Sequence, residues 1–396
     1  MVTERIIIED THRIDAGKLE RAAEILREGG LVAFPTETVY GLGANALDEE
    51  AAKKIYAAKG RPSDNPLIAH IADFSDLKPL VAEIPEAAGK LMEAFWPGPL
   101  TMIFPKSDAV PYGTTGGLDT VAVRMPSDPV AMTLIRLAGV PVAAPSANTS
   151  GRPSPTTADH VWQDMNGKID MIVDGGPVGI GVESTIIDVS GESPVILRPG
   201  AITQEMAGEV LGMEIGLDPA ITGDGPMNAD VKPKAPGMKY KHYAPKADLT
   251  LVEPEGPART AGPARMADSV RTADSVRMDG ADRNTAADQA NGLNEKQLQA
   301  MICKVQELAR EKLEAGYNVG VICTDESRHC YTDGIVRSIG ARKSQASVAH
   351  NLYALLREFD DLDVDYIFSE SFPQDHLGQA IMNRLSKAAG YKIVKV

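Results

Sequence analysis

The chain has 396 residues, 43% of them hydrophobic and 24% charged, a composition ordinary for soluble globular proteins and long enough for two or three domains. With 40 Lys and Arg against 55 Asp and Glu, its net charge is −15, which argues against sequence-blind nucleic-acid binding, since that rests on neutralising phosphates. Cys303, Cys323 and Cys330 lack paired metal-site spacing and read as reduced thiols, MVTERIIIED at the start is no signal peptide, and no apolar run approaches the ~20 residues of a membrane span, so a cytoplasmic protein is expected.

Ile6–Ile8 reads as a short first strand. Ala16–Arg27 has apolar residues at helical spacing, with Gly29 and Gly30 as its stop. Leu31–Gly43, LVAFPTETVYGLG, predicts a buried strand running into an irregular, hydroxyl-rich loop where backbone can approach a ligand. Asp48 caps a helix to about Ala58, with Lys59 at its end. KGRPSDNP at 59–66 then sets Lys59 and Arg61 on a loop stiffened by Pro62 and Pro66. Leu67–Ile71 predicts a strand containing His70, and Leu77–Phe95 a mostly helical stretch. Pro99–Phe104 and Thr120–Arg124 read as strands separated by a Gly/Thr-rich loop at 112–119. Val130–Leu137 reads as a helix, and Val140–Ala144 as an apolar strand ending in PSANTSGRP. Thr157–Met165 predicts a helix, Met171–Val173 a strand and Gly175–Gly181 a glycine loop. Ser184–Val189 and Pro194–Leu197 predict consecutive strands closed by Arg198-Pro199-Gly200. Several strands follow one another without a helix, which argues an α/β domain on a mixed sheet. Residues 204–230 drift into Gly, Pro and Asp and close this first domain, expected over 1–230.

Residues 231–246, VKPKAPGMKYKHYAPK, hold five lysines, three prolines and no acid, a linker's composition. Tyr240, His242 and Tyr243 suit a lid that lays charge and a ring over an anionic ligand. Leu249–Val252 opens a second domain expected over 247–396. It is interrupted at 254–293, where ADSVR recurs amid Ala, Gly, Asp and Arg and a disordered insertion is expected. Helix Glu295–Ala315, strand Val319–Cys323, helix Ser347–Glu358, strand Tyr366–Ser369, helix Gly378–Ala389 and strand Lys392–Val394 follow, Rossmann-like in rhythm. No glycine fingerprint follows the first of these strands, so dinucleotide binding is not supported.

The chemistry-bearing residues cluster in strand-end loops, where open α/β sheets bind ligands. These are Thr36, Thr38 and Tyr40; Lys59, Arg61 and Asn65; Ser146, Asn148 and Ser154; and Gly181–Thr185 with Arg198. The set is cationic and hydroxylic, with no Ser-His-Asp order, HExxH or Walker lysine, and suits a phosphate-bearing ligand beside a small polar one. Asp174 and Glu183 read as solvated or capping loop acids.

Lys59-Gly60-Arg61 followed by Ser146-Ala147-Asn148 resembles the KxR…SxN signature of the YrdC-like family. FPTETVYGLG at 34–43, PGPLT at 97–101, VAVRMP at 121–126, APSANTSG at 144–151 and ESTIID at 183–188 fit it in order, over roughly residues 5–215. HYAP at 242–245 and the α/β tail resemble the family's long, two-domain form. The resemblance implies a twisted mixed YrdC-like sheet with helices, plus a smaller Rossmann-like C-terminal domain. It also implies an adenylyltransferase that makes threonylcarbamoyl-AMP and pyrophosphate from L-threonine, bicarbonate or CO2, and ATP. That product serves N6-threonylcarbamoyladenosine formation in tRNA through a separate transferase complex, with transient contact and no stable tRNA binding implied.

What the resemblance implies for the site follows the same residues. Lys59 and Arg61 would stabilise charge on the transferring phosphates, with Asn65, Thr120, Ser146, Asn148, Ser154, Arg198 and Tyr243 also on ATP. Arg124 would take the threonine carboxylate bidentately. Thr38, His70, the backbone at Ala144, and Ser184 would complete the threonine pocket. Mg²⁺ would ride on the phosphates, largely through water. Two rivals share these residues. One is an RNA binder using the basic concavity, against which the −15 charge weighs. The other is a carbamoyl-adenylating module for metallocentre maturation, whose zinc-finger cysteines have no match here.

Overall fold

The computed structural model describes residues 2–222, 233–236, 238, 242–255 and 294–396. Tyr240 and, from residue 256, the expected insertion lie outside them.

The first domain begins with β1 (Glu4–Ile7) and α1 (Ala16–Arg27), whose N-terminus is capped by the Asp15 carboxylate accepting from Gly17 N. β2 (Val32–Phe34) and β3 (Gly41–Asn45) form a hairpin. α2 (Glu49–Lys59) is capped by Asp48 and stopped by Gly60 in the left-handed region at φ 61°. There follow β4 (Ile68–His70), α3 (Glu86–Phe95), β5 (Leu100–Pro105), α4 (Tyr112–Thr115), β6 (Thr120–Arg124), α5 (Pro129–Ala138) and β7 (Val142–Ala143). α6 (Ala158–Met165), β8 (Met171–Asp174), β9 (Thr185–Asp188), β10 (Val195–Arg198), α7 (Gln204–Leu211), β11 (Gly216–Leu217) and α8 (Pro219–Thr222) complete it. Eleven strands make one sheet in the order β1-β8-β2-β3-β7-β4-β6-β5-β9-β10-β11, with parallel and antiparallel pairs interleaved. The mixed sheet expected from helix-free strand connections is therefore present. Leu19, Leu26, Phe34, Leu42, Ile55 and Phe104 are fully buried in its core.

The second domain holds β12 (Asp248–Glu253), α9 (Glu295–Glu314), β13 (Val319–Cys323), β14 (Ile335–Ser338), α10 (Gln345–Asp361), β15 (Tyr366–Glu370), α11 (His376–Ala388) and β16 (Ile393–Lys395). Its five strands are all parallel, in the order β14-β13-β15-β12-β16. Leu352, Tyr353 and Leu356 of α10 and Ile381 and Leu385 of α11 share one apolar cluster with Val39, Val182 and Tyr243. The two domains are thus joined by common core as well as by chain. Among the described residues, no helix is long and apolar enough to cross a membrane.

Five stretches differ from the sequence reading. Gly41–Asn45 is a strand, not the tail of a loop: a Cβ at Gly43 would lie 2.6 Å from the Phe34 ring, so the glycine permits close strand packing rather than disorder. Leu77–Phe95 is helical only from Glu86, because Pro85 precedes the helix and Val81 bridges to Lys106 instead. Residues 112–119 contain the single turn α4 between Pro111 and Gly116. Residues 204–211 form α7, capped by Thr203; only Ala207 is buried, so its apolar stripe was too thin to read. β14 was missed because it is half-buried throughout, with neither alternation nor an apolar run.

Candidate active site

Strand register brings the predicted loops to one end of the large sheet. β4 and β6 run parallel with His70 opposite Arg124, and β5 sets Thr101 opposite Arg124. The β2–β3 hairpin ends at Phe34 and Gly41, and Gly41 bridges to Ser146 just past β7. β9 starts after Ser184, and Arg198 ends β10 opposite Ile186. These ends enclose about 600 Å³ of space lined by Thr36, Thr38, Val39, Gly41, Arg61, Ile68, His70, Arg124, Ala144, Pro145, Ser146, Asn148, Ser154, Glu183, Ser184 and Arg198. Pro236, His242 and Tyr243 from the linker complete the wall.

One group of wall residues surrounds Arg124, which is 4% exposed. Its Nη1 donates to Thr38 Oγ1 at 3.0 Å, its Nε to Gly98 O at 3.3 Å, and its Nη2 lies 2.7 Å from Glu37 Oε1. Burial pushes the Glu37 pKa up, but the charge and hydrogen bond of Arg124 outweigh it and hold the carboxyl below its usual value. His70 Nδ1 donates to Ile68 O at 3.0 Å, which puts the ring proton on that nitrogen. Burial, then the charge of Arg124, pushes its pKa down to about 3, so its ring is neutral at physiological pH.

A second group surrounds Glu183, which is 6% exposed. Its Oε1 accepts from Ser154 Oγ at 2.6 Å and from the Tyr353 hydroxyl at 3.0 Å; its Oε2 lies 3.1 Å from Arg384 Nε. Burial raises its pKa, and the charges of Arg384 and Arg198 more than offset this. Arg198 donates from Nε to Ser184 O at 3.0 Å and from Nη2 to Ser184 Oγ at 3.1 Å. Tyr243 stacks on Tyr353 with ring centroids 5.3 Å apart, and reaches this position with φ 65°, a conformation a bulky residue adopts only when its surroundings hold it there.

Of the predicted site residues, Thr38, Arg61, His70, Arg124, Ala144, Ser146, Asn148, Ser154, Ser184, Arg198 and Tyr243 all line this space. Lys59, Asn65 and Thr120 stand outside its wall. Lys59, 2% exposed, sends Nζ to the carbonyl oxygens of Ser146 and Asn148, so it lies beneath the loop that presents them. Burial, then the nearby Arg61, drives its pKa well below that of an ordinary lysine. Asn65 accepts through its carbonyl from Arg61 Nη2 at 3.1 Å. Thr120 opens β6, four residues and about 13 Å along the strand from Arg124. Asn148 organises its own loop, accepting from Ser146 Oγ at 2.6 Å and donating to the Thr149 and Arg152 carbonyls. Burial lowers the Arg61 pKa only to about 10, which leaves the guanidinium charged.

The sequence reading missed Glu37 and set Glu183 aside as a solvated or capping acid. Glu37 sat inside the PTET run, next to Thr38, and that proximity to a predicted site residue was the available signal. Glu183 lay in the Gly181–Thr185 loop and opened ESTIID, but its burial was hidden because Tyr353 and Arg384 are 170 and 201 residues away in sequence. The wall as a whole offers three guanidiniums, hydroxyls and two imidazoles, His70 and His242, both kept neutral by burial, with its one buried carboxylate already engaged. That set binds anions.

Two family profiles match the chain: one described as "Telomere recombination" over residues 24–200, and one described as "Threonylcarbamoyl-AMP synthase, C-terminal domain" over 202–390. The chain is 45% identical to the threonylcarbamoyl-AMP synthase of Bacillus subtilis over 398 residues, covering 100% of both chains. It is 47% identical to that of Pyrococcus abyssi over 391 residues, covering 99% of both. The crystal structure of P. abyssi Sua5 complexed with L-threonine matches the fold with a TM-score of 0.82 at 44% identity, covering 100% of both chains. The chain belongs to the threonylcarbamoyl-AMP synthase family, in its two-domain form.

Proposed function

We propose that this cavity forms threonylcarbamoyl-AMP from L-threonine, bicarbonate or CO2, and ATP, with release of pyrophosphate. The threonine amine captures CO2 as a carbamate, a carbamate oxygen attacks the α-phosphorus in line, and the bond to the leaving pyrophosphate breaks. Such a step needs positioning and charge stabilisation more than proton transfer. Arg61 and Arg198 offset phosphate charge. The buried Arg61 Nε lacks a hydrogen-bond partner among the described residues, as suits a donor kept for a ligand. Arg124 takes the threonine carboxylate, exchanging part of its contact with Glu37. Thr38, neutral His70, the backbone at Ala144, and Ser184 shape the pocket around the amino acid. Ser146, Asn148 and Ser154 face the nucleotide, and Lys59 serves it by fixing the Ser146–Asn148 loop from beneath. Asn65 acts through the Arg61 loop it braces; for Thr120, at the far end of β6, the same assignment to ATP rests on the family motif.

Pro236, His242 and Tyr243 of the linker form one side of the cavity wall, so the linker withdraws for ATP to enter and then closes, with Tyr243 reaching the nucleotide. Mg²⁺ arrives on the ATP phosphates: Glu183, the carboxylate in the wall, is taken up by Ser154, Tyr353 and Arg384, which leaves phosphate and water to hold the ion. The product passes to a tRNA threonylcarbamoyl transferase complex in the cytoplasm through a transient contact. The convergence of Arg61, Arg124 and Arg198 on one cavity carries this reading. Pyrophosphate release from Mg-ATP tests it: release should need both L-threonine and bicarbonate, and release indifferent to threonine would overturn it.

A further inference from the structure

Two buried side chains of the second domain meet the cavity wall at Glu183. Tyr353 of α10, 0% exposed, gives its hydroxyl to both oxygens of Glu183, at 3.0 and 2.9 Å. Arg384 of α11, also 0% exposed, meets Glu183 Oε2 through Nε and the Glu183 carbonyl through Nη2, and its Nη1 donates to the Pro199 carbonyl beside Arg198. Glu183 in turn takes the Ser154 hydroxyl at 2.6 Å, and the Tyr353 ring carries Tyr243. Gly181, two residues before Glu183, packs so tightly on α10 that a Cβ there would lie 2.5 Å from the Ala349 carbonyl oxygen. Among the described residues, neither Tyr353 nor Arg384 hydrogen-bonds to Thr38, His70 or Arg124, whose side chains rest on Gly98, Ile68, Thr36 and Glu37; the second domain meets this side only through backbone and apolar packing, with Gly181 N donating to Thr38 O at 3.1 Å and Val39 in the α10 core.

We propose that Tyr353 and Arg384 are positioning residues of the nucleotide subsite: acting through the Glu183 carboxylate, they set Ser154, Arg198 and Tyr243 for the triphosphate, and neither side chain bonds the Arg124 group that receives the amino acid. This rests on the reading of the cavity given above. The physical basis is that a buried carboxylate keeps one geometry only while its donors hold it, so losing one donor lets the Glu183 side chain turn and frees Ser154. The second domain is then a built-in part of the ATP pocket.

The test uses the full-length chain with Tyr353→Phe, which removes only the hydroxyl and keeps the ring against Tyr243. Binding of a non-hydrolysable ATP analogue and of L-threonine is measured separately by calorimetry, alongside the KM for ATP in the pyrophosphate assay. The analogue's Kd and the ATP KM should rise about five- to tenfold, in line with the net worth of one ordinary hydrogen bond, while the threonine Kd stays within twofold. Ser154→Ala should give a similar rise, and the double variant no more than the larger single effect, because both act through one carboxylate. Arg384→Lys, which keeps the charge but loses the fork, should show the same split and serves if Tyr353→Phe fails to fold. Unchanged analogue binding, or equal weakening of analogue and threonine, would overturn the proposal. If the unmodified protein binds both ligands yet releases no pyrophosphate, the reaction reading fails while the binding split still judges this inference.

Discussion

The Arg124 group and the Glu183 group are both buried ionic assemblies in one cavity, but they are built from different distances along the chain. Arg124, Glu37, Thr38 and His70 come from neighbouring strand ends of a single sheet, and the ion pair at 2.7 Å closes within one domain. Glu183 is held by Arg384 and Tyr353 across a domain boundary, and Asp164 beside it by Arg357 at 2.8 Å, which also donates to the Pro153 carbonyl at 2.6 Å. A buried pair loses more when one partner goes than it gains by existing, because the survivor is left charged and unsolvated. The first assembly therefore ties amino-acid recognition to the integrity of one sheet. The second ties nucleotide recognition to the docking of two domains.

The largest effect should come from a residue that neither assembly holds. Arg61 lines the cavity and is braced only by the Asn65 and Pro66 carbonyls, at 3.1 and 2.9 Å. Arg61→Ala should lower kcat/KM for ATP about a thousandfold, as loss of a preorganised charge-stabilising donor does, with far-UV circular dichroism and the threonine Kd nearly unchanged. A drop of less than tenfold would place the triphosphate elsewhere.

Breaking the first assembly should damage both fold and binding. Arg124→Met strands Glu37 in the interior and should cost about 3–5 kcal/mol in urea unfolding, with threonine binding weakened more than a hundredfold. Adding Glu37→Met should restore most of the stability and none of the threonine binding. Were the double variant no more stable than the single, the pair would not be the stabilising unit the geometry describes.

Much of this was readable from sequence where the physics is local. Ala16–Arg27, Thr120–Arg124 and Val319–Cys323 follow from capping, alternation and apolar runs, and their observed bounds match. The loops with Arg61, Ser146 and Arg198 were legible because Gly, Pro and hydroxyl residues mark strand ends. What stayed hidden depends on contacts far apart in sequence. Lys59 sat in a clear basic loop, yet it is spent on two carbonyls more than 85 residues away, which no spacing rule reveals. Glu183 looked like a surface acid because its partners lie in the other domain. Gly43 looked like loop because a glycine that admits Phe34 and one that admits a turn are the same letter.

A smaller effect should appear in pH dependence. His70 titrates near pH 6.5 when unfolded but only at about 3 when folded, so below pH 6.5 the unfolded chain binds the extra proton. Stability from this group is complete above pH 6.5 and is lost as the pH falls, by about 1.4 kcal/mol at pH 5.5. Asp128, raised to about 6 by burial, works in the opposite sense, since its folded form holds a proton that the unfolded form has released. The measurement is therefore the difference in unfolding free energy between the unmodified chain and His70→Asn at pH 7.5 and 5.5. That difference should shrink by about 1.4 kcal/mol at the lower pH; a difference independent of pH would mean that His70 titrates alike in the folded and unfolded chains.

The smallest effect is the one that best separates the two assemblies. Arg124 donates to Gly98 and Thr38, and its Nη2 lies at ion-pair distance, 2.7 Å, from Glu37 Oε1. Glu37 is the partner of matching charge, which makes it an internal competitor for the substrate's carboxylate. Glu37→Gln keeps the shape and removes the charge, so threonine should bind about threefold tighter, about 0.65 kcal/mol, with a modest loss of stability. The same isosteric change at Glu183 should do the reverse and weaken the ATP analogue, because there the carboxylate holds the wall and no ligand replaces it. Isothermal titration of both variants with both ligands reads the contrast directly. Tighter threonine in one and weaker nucleotide in the other would show that two buried carboxylates in one cavity do opposite work, one yielding to its ligand and the other framing it.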